Sequence, residues 1–351
     1  MSMTIKPIVD RKIRLGFVGC GRISQKHFEA LEAHADTIDV VAVCDVQADR
    51  AAQAAQRMGA TPYTSLTDML RDTTLDIITI ATPNGLHPQQ VMQVADSGRH
   101  VITEKPMAIH WRDGMAMHRH CKDKNVQLFV IHQNRFNDTV QALHTACTQG
   151  RFGKIYLITS NVFWTRPQDY YDKDGSWHGT KAMDGGAYLT QASHYVDLMQ
   201  WIAGGSPTSV YANLKTLARD IETEDTGIAS FEWDNGILGA MNMTMLTYPK
   251  NLEGSITVLG EKGTVRIGGT AMNAIEHWEF ADTRPEDEGI LKANYETSSV
   301  YGFGHVRYYE NVIHALRGEA KPLVDGQEGL KSLQLLAAIY DASQQGKPIR
   351  L

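Results

Sequence analysis

Short apolar runs and helix-forming stretches alternate through the first 131 residues of the chain. Ile13–Val18, Val40–Cys44, Asp76–Ala81, His100–Thr103 and Gln127–Ile131 are compact and apolar, and several are β-branched with little polar alternation. Such runs read as strands buried on both faces. Ser24–Ala33, Ala48–Met58, Pro88–Ser97 and Arg112–Lys124 lie between them with helical composition. Strands and helices in strict alternation predict a parallel sheet wound with helices.

After Gln133 the pattern changes. Ile155–Phe163, Ser209–Leu217, Gly227–Trp233 and Ile237–Leu246 alternate apolar and polar residues over longer stretches. Asn235-Gly236, between the last two, is the strongest short-range hairpin signal. Glu261-Lys262-Gly263 punctuates a second hairpin, and helices are expected at Ala187–Ile202, Val306–Arg317 and Glu328–Gln344. The expected fold class is α/β: a Rossmann-type domain over residues 1–133, then an α+β domain on a mostly antiparallel sheet over residues 134–351.

A length of 351 residues agrees with two domains. A hydrophobic fraction of 42% and a charged fraction of 21% are ordinary for a soluble chain that needs no metal or disulfide staple. The net charge of −6 argues against general affinity for nucleic acid or anionic membrane, and leaves room for a local basic pocket. No apolar run approaches the roughly 18–20 residues of a membrane helix, and Met1–Asp10 shows no apolar core of a signal peptide. Cys20, Cys44, Cys121 and Cys147 are scattered, as expected for reduced thiols of a cytoplasmic protein. The histidines form no pair of metal-ligand spacing, so no metal is expected.

Four segments carry chemistry. In Leu15-Gly16-Phe17-Val18-Gly19-Cys20-Gly21-Arg22-Ile23-Ser24, Gly19 permits the tight turn out of the first strand. Gly21 lets the backbone approach a pyrophosphate at a helix N-terminus, and the small Ser24 replaces the third glycine of the dinucleotide fingerprint. Asp45 ends the second strand, where a carboxylate accepts the ribose hydroxyls of NAD and repels the extra phosphate of NADP; Arg50 is the nearby cation that opposes this preference. Ala81-Thr82-Pro83-Asn84-Gly85-Leu86-His87-Pro88 forms a sharp loop at the ligand-binding edge of the sheet. Thr103-Glu104-Lys105-Pro106 follows the next strand; a cis bond before Pro106 suits such a turn. Lys105 there can stabilise an alkoxide or relay a proton, although the residue alone reads equally well as a solvated surface lysine.

Taken together these segments resemble the Gfo/Idh/MocA family of sugar and cyclitol dehydrogenases, over nearly the whole chain. The resemblance implies an NAD cofactor held by Gly19, Gly21, Arg22, Ile23, Asp45, Thr82, Pro83, Asn84, His87, Glu104, Lys105 and Gln133. It also implies a catalytic histidine, His194, on the helix of Asp184–Asp197, with Lys105 as its partner; from the helix alone His194 reads as a core residue. The family has Asp or Asn four residues before that histidine, and this chain has Thr190, so the acid–base work falls to His194 and Lys105. Gln191 lies one turn from His194 on the expected helix and can reach substrate.

Three further segments, Asn161–Tyr171, Leu246–Ser255 and Tyr301–His305, are similar to one branch, the bacterial UDP-N-acetylglucosaminuronate 3-dehydrogenases that serve O-antigen synthesis. That likeness implies a UDP-sugar acid as substrate, met by Lys105, Arg166, Tyr170, Trp177, Gln191, His194, Lys250 and Asn251. It further implies a homo-oligomer, a tetramer or a dimer, formed through the open face of the second-domain sheet, with the substrate in the cleft. A dehydrogenase of a free sugar or inositol and a non-catalytic NAD-sensing regulator are the alternatives.

Overall fold

The computed structural model describes residues 6–72, 74–173, 177–297 and 302–351. Tyr301, part of one segment singled out above, lies outside the described residues. Contacts divide the chain into two compact units, Met1–Gln133 with His305–Leu333, and Asn134–Gly304 with Gln334–Leu351.

The first unit holds strands β1 (Ile13–Val18), β2 (Ile38–Cys44), β3 (Thr61–Tyr63), β4 (Ile77–Ile80), β5 (His100–Thr103) and β6 (Leu128–Val130). They pair in the order β3-β2-β1-β4-β5-β6, every pair parallel. That is the Rossmann order, with its topological switch between β1 and β4. Helices α1 (Ser24–Glu32), α2 (Ala48–Met58), α3 (Leu66–Met69), α4 (His87–Asp96) and α5 (Trp111–Asp123) connect the strands. Ile13, Leu15, Phe17, Ile77, Ile78, Ile80, Val101 and Ile102 are fully buried, which explains why these runs lack polar alternation. The expected strands and helices agree with these bounds to within two residues. The short β3 was not expected, because Thr61-Pro62-Tyr63 carries a proline and no apolar run; it pairs at the edge of the sheet, where proline is tolerated.

The second unit opens with α6 (Asp138–Thr148) and carries β7 (Ile155–Phe163), α7 (Gln168–Asp172), α8 (Ala187–Thr190) and α9 (Ser193–Ala203). Then come β8 (Ser209–Lys215), β9 (Thr226–Glu232), β10 (Leu238–Thr244), β11 (Glu253–Gly260), β12 (Gly263–Gly268) and β13 (Ala274–Phe280). Helix α10 (Gly304–Leu316, from His305 on) and the first part of α11 (Gly326–Gln345) belong to the first unit, and the rest of α11 with strand β14 (Ile349–Arg350) closes the second. The sheet order is β13-β12-β11-β7-β10-β9-β8-β14, antiparallel except for the parallel pair β7–β10. The Asn235-Gly236 hairpin forms as expected, with Gly236 at φ +83°. Ile158, Val162, Met241, Met243, Ile256 and Val258 point to the covered face and are buried.

The helix expected over Ala187–Ile202 is two helices. The amides of Gln191 and Ala192 both bond the carbonyl of Ala187, a wide turn that ends α8 and lets α9 start afresh at Ser193. Gln191 and His194 therefore do not share one helix face, which corrects the spacing argument above.

Candidate active site

The glycine loop is built as its residues require. Gly19 sits at φ +94°, and a Cβ there would lie 2.5 Å from the carbonyl oxygen of Ala81. Around Gly21 nothing lies within 4 Å of such a Cβ, so the loop is open at that point. Ser24 is buried and its hydroxyl donates to the Gly21 carbonyl at 2.6 Å, which holds the turn the third glycine usually shapes. Ile23 is the N-cap of α1; no side chain caps that helix, and its first turn carries no acid. The cradle therefore offers backbone amides to an anion. Arg22 is exposed beside it. Asp45 accepts the amide of Cys20 at 2.9 Å and that of Gln47 at 2.9 Å, so the carboxylate expected to meet a ribose also braces the glycine loop. Burial pushes the Cys20 thiol up to about 12, which removes it as a nucleophile.

The second and third loops are clasped together. His87 is fully buried, and its ring nitrogens lie 2.9 Å from the Pro106 carbonyl oxygen and 2.8 Å from that of Thr82. Burial lowers its pKa. The Thr82 hydroxyl donates to Gln90 at 2.6 Å, Pro83 is half-buried, and Asn84 is buried at the start of a short 3-10 turn. The Lys105–Pro106 bond is cis, as the turn suggested. Lys105 is half-buried, and its backbone amide donates to Glu104 Oε2 at 2.9 Å. Glu104 itself points inward, its Oε1 3.0 Å from His27 Nε2. The bond from His27 and the nearby Lys105 outweigh burial and hold the Glu104 carboxyl down at about 2. Gln133 is buried at the end of this unit.

Sequence reading missed the group around Glu104. His27, Glu104 and His305 bring possible ligand atoms within 4.8 Å of one another from α1, the β5 turn and α10. The available signal was His27 itself, a polar residue on the apolar face that Ser24, Phe28 and Leu31 form on α1.

In the second unit Arg166, Tyr170, Gln191 and Asn251 converge. Arg166 donates to Gln191 Oε1 at 2.9 Å and to the Thr165 carbonyl at 2.8 Å. Its guanidinium lies 5.3 Å from the Trp164 ring centre and 5.4 Å from that of Tyr170. Gln191 Nε2 donates to the Tyr170 hydroxyl at 3.3 Å, and Asn251 Oδ1 accepts the Thr165 amide at 2.9 Å. His178 stacks on Tyr170 at 4.5 Å and meets Trp177 at 3.9 Å, which makes one aromatic shelf. Lys250 is exposed on the loop beside Asn251. His194 is buried in the first turn of α9, and the Thr190 hydroxyl donates back to the Gly186 carbonyl at 2.9 Å. Glu224, also missed, accepts the Tyr188 amide at 2.8 Å and the Tyr340 hydroxyl at 2.7 Å, and so fixes the start of α8.

Residues 13–132 match the NAD-binding Rossmann domain of the Gfo/Idh/MocA oxidoreductases, and residues 145–351 match their C-terminal alpha/beta domain. The chain belongs to this family. Within it, the chain is similar to the WlbA dehydrogenase of Bordetella pertussis, solved in complex with NADH and UDP-GlcNAcA: 55% identity, 98% of this chain and 99% of that one covered, TM-score 0.95. The WlbA dehydrogenase of Chromobacterium violaceum, solved with the same two molecules, is 53% identical over 100% of this chain and 99% of its own, with TM-score 0.94. A more distant Gfo/Idh/MocA relative, the myo-inositol 2-dehydrogenase of Thermotoga maritima, is 25% identical over 97% of this chain and 98% of its own.

Proposed function

We propose that this chain is an NAD-dependent dehydrogenase that oxidises the 3-hydroxyl of UDP-2-acetamido-2-deoxy-D-glucuronate to the 3-keto sugar. It works in the cytoplasm, in the supply of sugars for lipopolysaccharide O-antigen. The observation that carries this reading is 53–55% identity over almost the whole chain to dehydrogenases solved with NADH and UDP-GlcNAcA. The cluster in the second unit agrees with it. Arg166 is a cation pre-set by Gln191 and framed by aromatic rings, which suits a ligand with a pyrophosphate, a carboxylate and a base to stack.

The cradle of Gly19, Gly21 and the uncapped α1 fits a pyrophosphate, and Asp45 fits an unphosphorylated ribose. Held by this cradle and by Asp45, NAD would supply the acceptor for the hydride from C3. His194 takes the proton from the C3 oxygen, and Lys105 stabilises the negative charge that grows on that oxygen. The C–H electron pair and the O–H proton thus leave separately and the ketone remains. Thr190 cannot ionise near neutral pH, so it shares no proton in this scheme. Arg166, Tyr170, Trp177, Gln191, Lys250 and Asn251 bind the nucleotide sugar. The chain assembles as a homotetramer or dimer through the outer face of the second-unit sheet.

The test is to incubate the purified protein with UDP-2-acetamido-2-deoxyglucuronate and NAD, and to assay the 3-keto product and NADH. Lys105→Ala lowers turnover by at least about 10²-fold while NAD still binds. Equal oxidation of free sugars, or of inositol as in the name of the Thermotoga relative, would overturn the substrate; wild-type turnover in Lys105→Ala would overturn the role of the lysine.

A further inference from the structure

Lys105 is useful only if its ammonium is held in place, and the turn that carries it is anchored in part through side chains. The Glu104 amide donates to the Ile80 carbonyl at 2.8 Å. Pro106 has no amide to give. The Lys105 amide has no strand to join, and it donates instead to the side chain of the residue before it, Glu104 Oε2. The position of the lysine backbone therefore depends on where the Glu104 carboxylate is fixed.

A chain of buried groups fixes it. Glu104 Oε1 can only accept, so His27 Nε2 carries the proton between them at 3.0 Å. His27 Nδ1 meets the Tyr309 hydroxyl at 2.8 Å, and that hydroxyl lies 3.3 Å from Thr79 Oγ1 on β4. His27, Thr79 and Tyr309 are all fully buried. The ring of His305 closes the remaining side, edge-on to His27 with centroids 5.1 Å apart. Burial, then the neighbouring His27, push the His305 pKa down to about 3, so it adds no cation here. The titratable groups facing Glu104 are thus His27 from α1, His87 from α4, His305, Tyr308 and Tyr309 from α10, and Lys105.

The same cluster resembles a metal-ligand set, but its geometry is already spent. Both nitrogens of His27 and both oxygens of Glu104 are engaged with protein groups. What the arrangement does provide is a carboxylate that cannot rotate, within electrostatic range of the lysine.

We propose that His27, seated on Tyr309 and acting through Glu104, is the positioning residue for Lys105. It fixes the backbone of the lysine and keeps a permanent negative charge near its ammonium. The proposal rests on the reading of Lys105 as the group that stabilises the reacting oxygen. A second brace comes from His87, which holds the other end of the turn at the Pro106 carbonyl.

The experiment compares His27→Leu, His27→Gln, Glu104→Gln, Tyr309→Phe and Lys105→Ala in the full-length protein. Readouts are kcat and KM for the UDP-sugar acid, Kd for NAD, the pH dependence of kcat, and thermal midpoint. His27→Leu and Glu104→Gln are expected to lower kcat by about 10²-fold, the scale of a misplaced catalytic group, with KM and, for His27→Leu, the NAD Kd within threefold. Without the fixed anion the alkaline limb of the pH–kcat profile moves to lower pH. His27→Gln keeps a donor toward Glu104 and restores part of kcat. Tyr309→Phe removes one hydroxyl, keeps the packing, and gives a smaller loss in the same direction; it decides the matter if His27→Leu folds poorly. Unchanged kcat, or a loss confined to NAD Kd and thermal midpoint with the pH profile unmoved, overturns the proposal. If Lys105→Ala is inactive while the other variants are unaffected, only the positioning proposal fails. If Lys105→Ala turns over normally, the reading beneath it fails as well.

Discussion

Two glycines only two positions apart, Gly19 and Gly21, have different jobs, and alanine separates them. At Gly19 a methyl group meets the Ala81 carbonyl oxygen at 2.5 Å, at a backbone angle of φ +94° that L-residues avoid. Gly19→Ala is therefore expected to cost more than about 2 kcal/mol of stability before any cofactor is added. At Gly21 the methyl enters open space, so the fold is untouched and the loss falls on the ligand that needs that space. Gly21→Ala is expected to keep the wild-type thermal midpoint within about 1–2 °C and to raise the NAD Kd by about tenfold or more. Thermal unfolding beside an NAD titration checks both; equal destabilisation by the two variants would refute the distinction. These glycines were legible in the sequence because a strand before and a helix after give the loop its context. Asp45 was legible for the same reason. His27 was not, because its partners Glu104 and Tyr309 stand 77 and 282 residues away and no local spacing announces them.

Long periodic elements were read correctly, and the failures fall where tertiary contacts override local preference. Ala187–Ile202 has uniform helical composition, yet the chain breaks at Gln191–Ala192. The start of α8, one turn before that break, is held by Glu224, which accepts the Tyr188 amide from the loop before β9, 36 residues on. Burial dominates there and pushes the Glu224 carboxyl up to about 7, against the opposing bonds from Tyr188 and Tyr340. The folded pKa lies above the unfolded one, so this group contributes its full stability below about pH 4.5 and loses it as pH rises through about 7. The loss is roughly 3 kcal/mol when the carboxylate is fully ionised. Glu224→Gln keeps an acceptor oxygen for Tyr188 and cannot ionise. Its thermal midpoint is expected to gain on wild type steadily between pH 5 and pH 8. A difference that stays constant across that range would show that the buried carboxyl is not titrating. Because α8 leads directly to Gln191 and His194, the KM for the nucleotide sugar in this variant is also expected to lose some of its pH dependence.

For the whole molecule the open sheet of the second unit raises the remaining question. Registered pairs place Ser209, Glu232, Leu238, Leu157 and Leu259 in one row across it, and Asn213, Ile228, Asn242, Asn161 and Ser255 in another. The face opposite these rows is filled by buried Ile, Val and Met side chains, as strict alternation requires. The outward face is not simply polar. Tyr211, Ile228, Leu238 and Leu259 are 43%, 56%, 53% and 36% exposed on it. Scattered apolar residues on a surface need no explanation, but four on one flat face, with asparagine and threonine between them, have the mixed character of a subunit contact. A second copy of the same sheet is the occupant that the proposed homo-oligomer supplies. Ile228→Glu combined with Leu238→Glu places like charges across a symmetric contact, where both copies carry the change. Light scattering is expected to shift from tetramer or dimer to monomer, with the circular dichroism of the folded chain retained, since both side chains point away from the core. An unchanged mass would place the oligomer contact elsewhere, and a monomeric wild-type protein would remove the need for one.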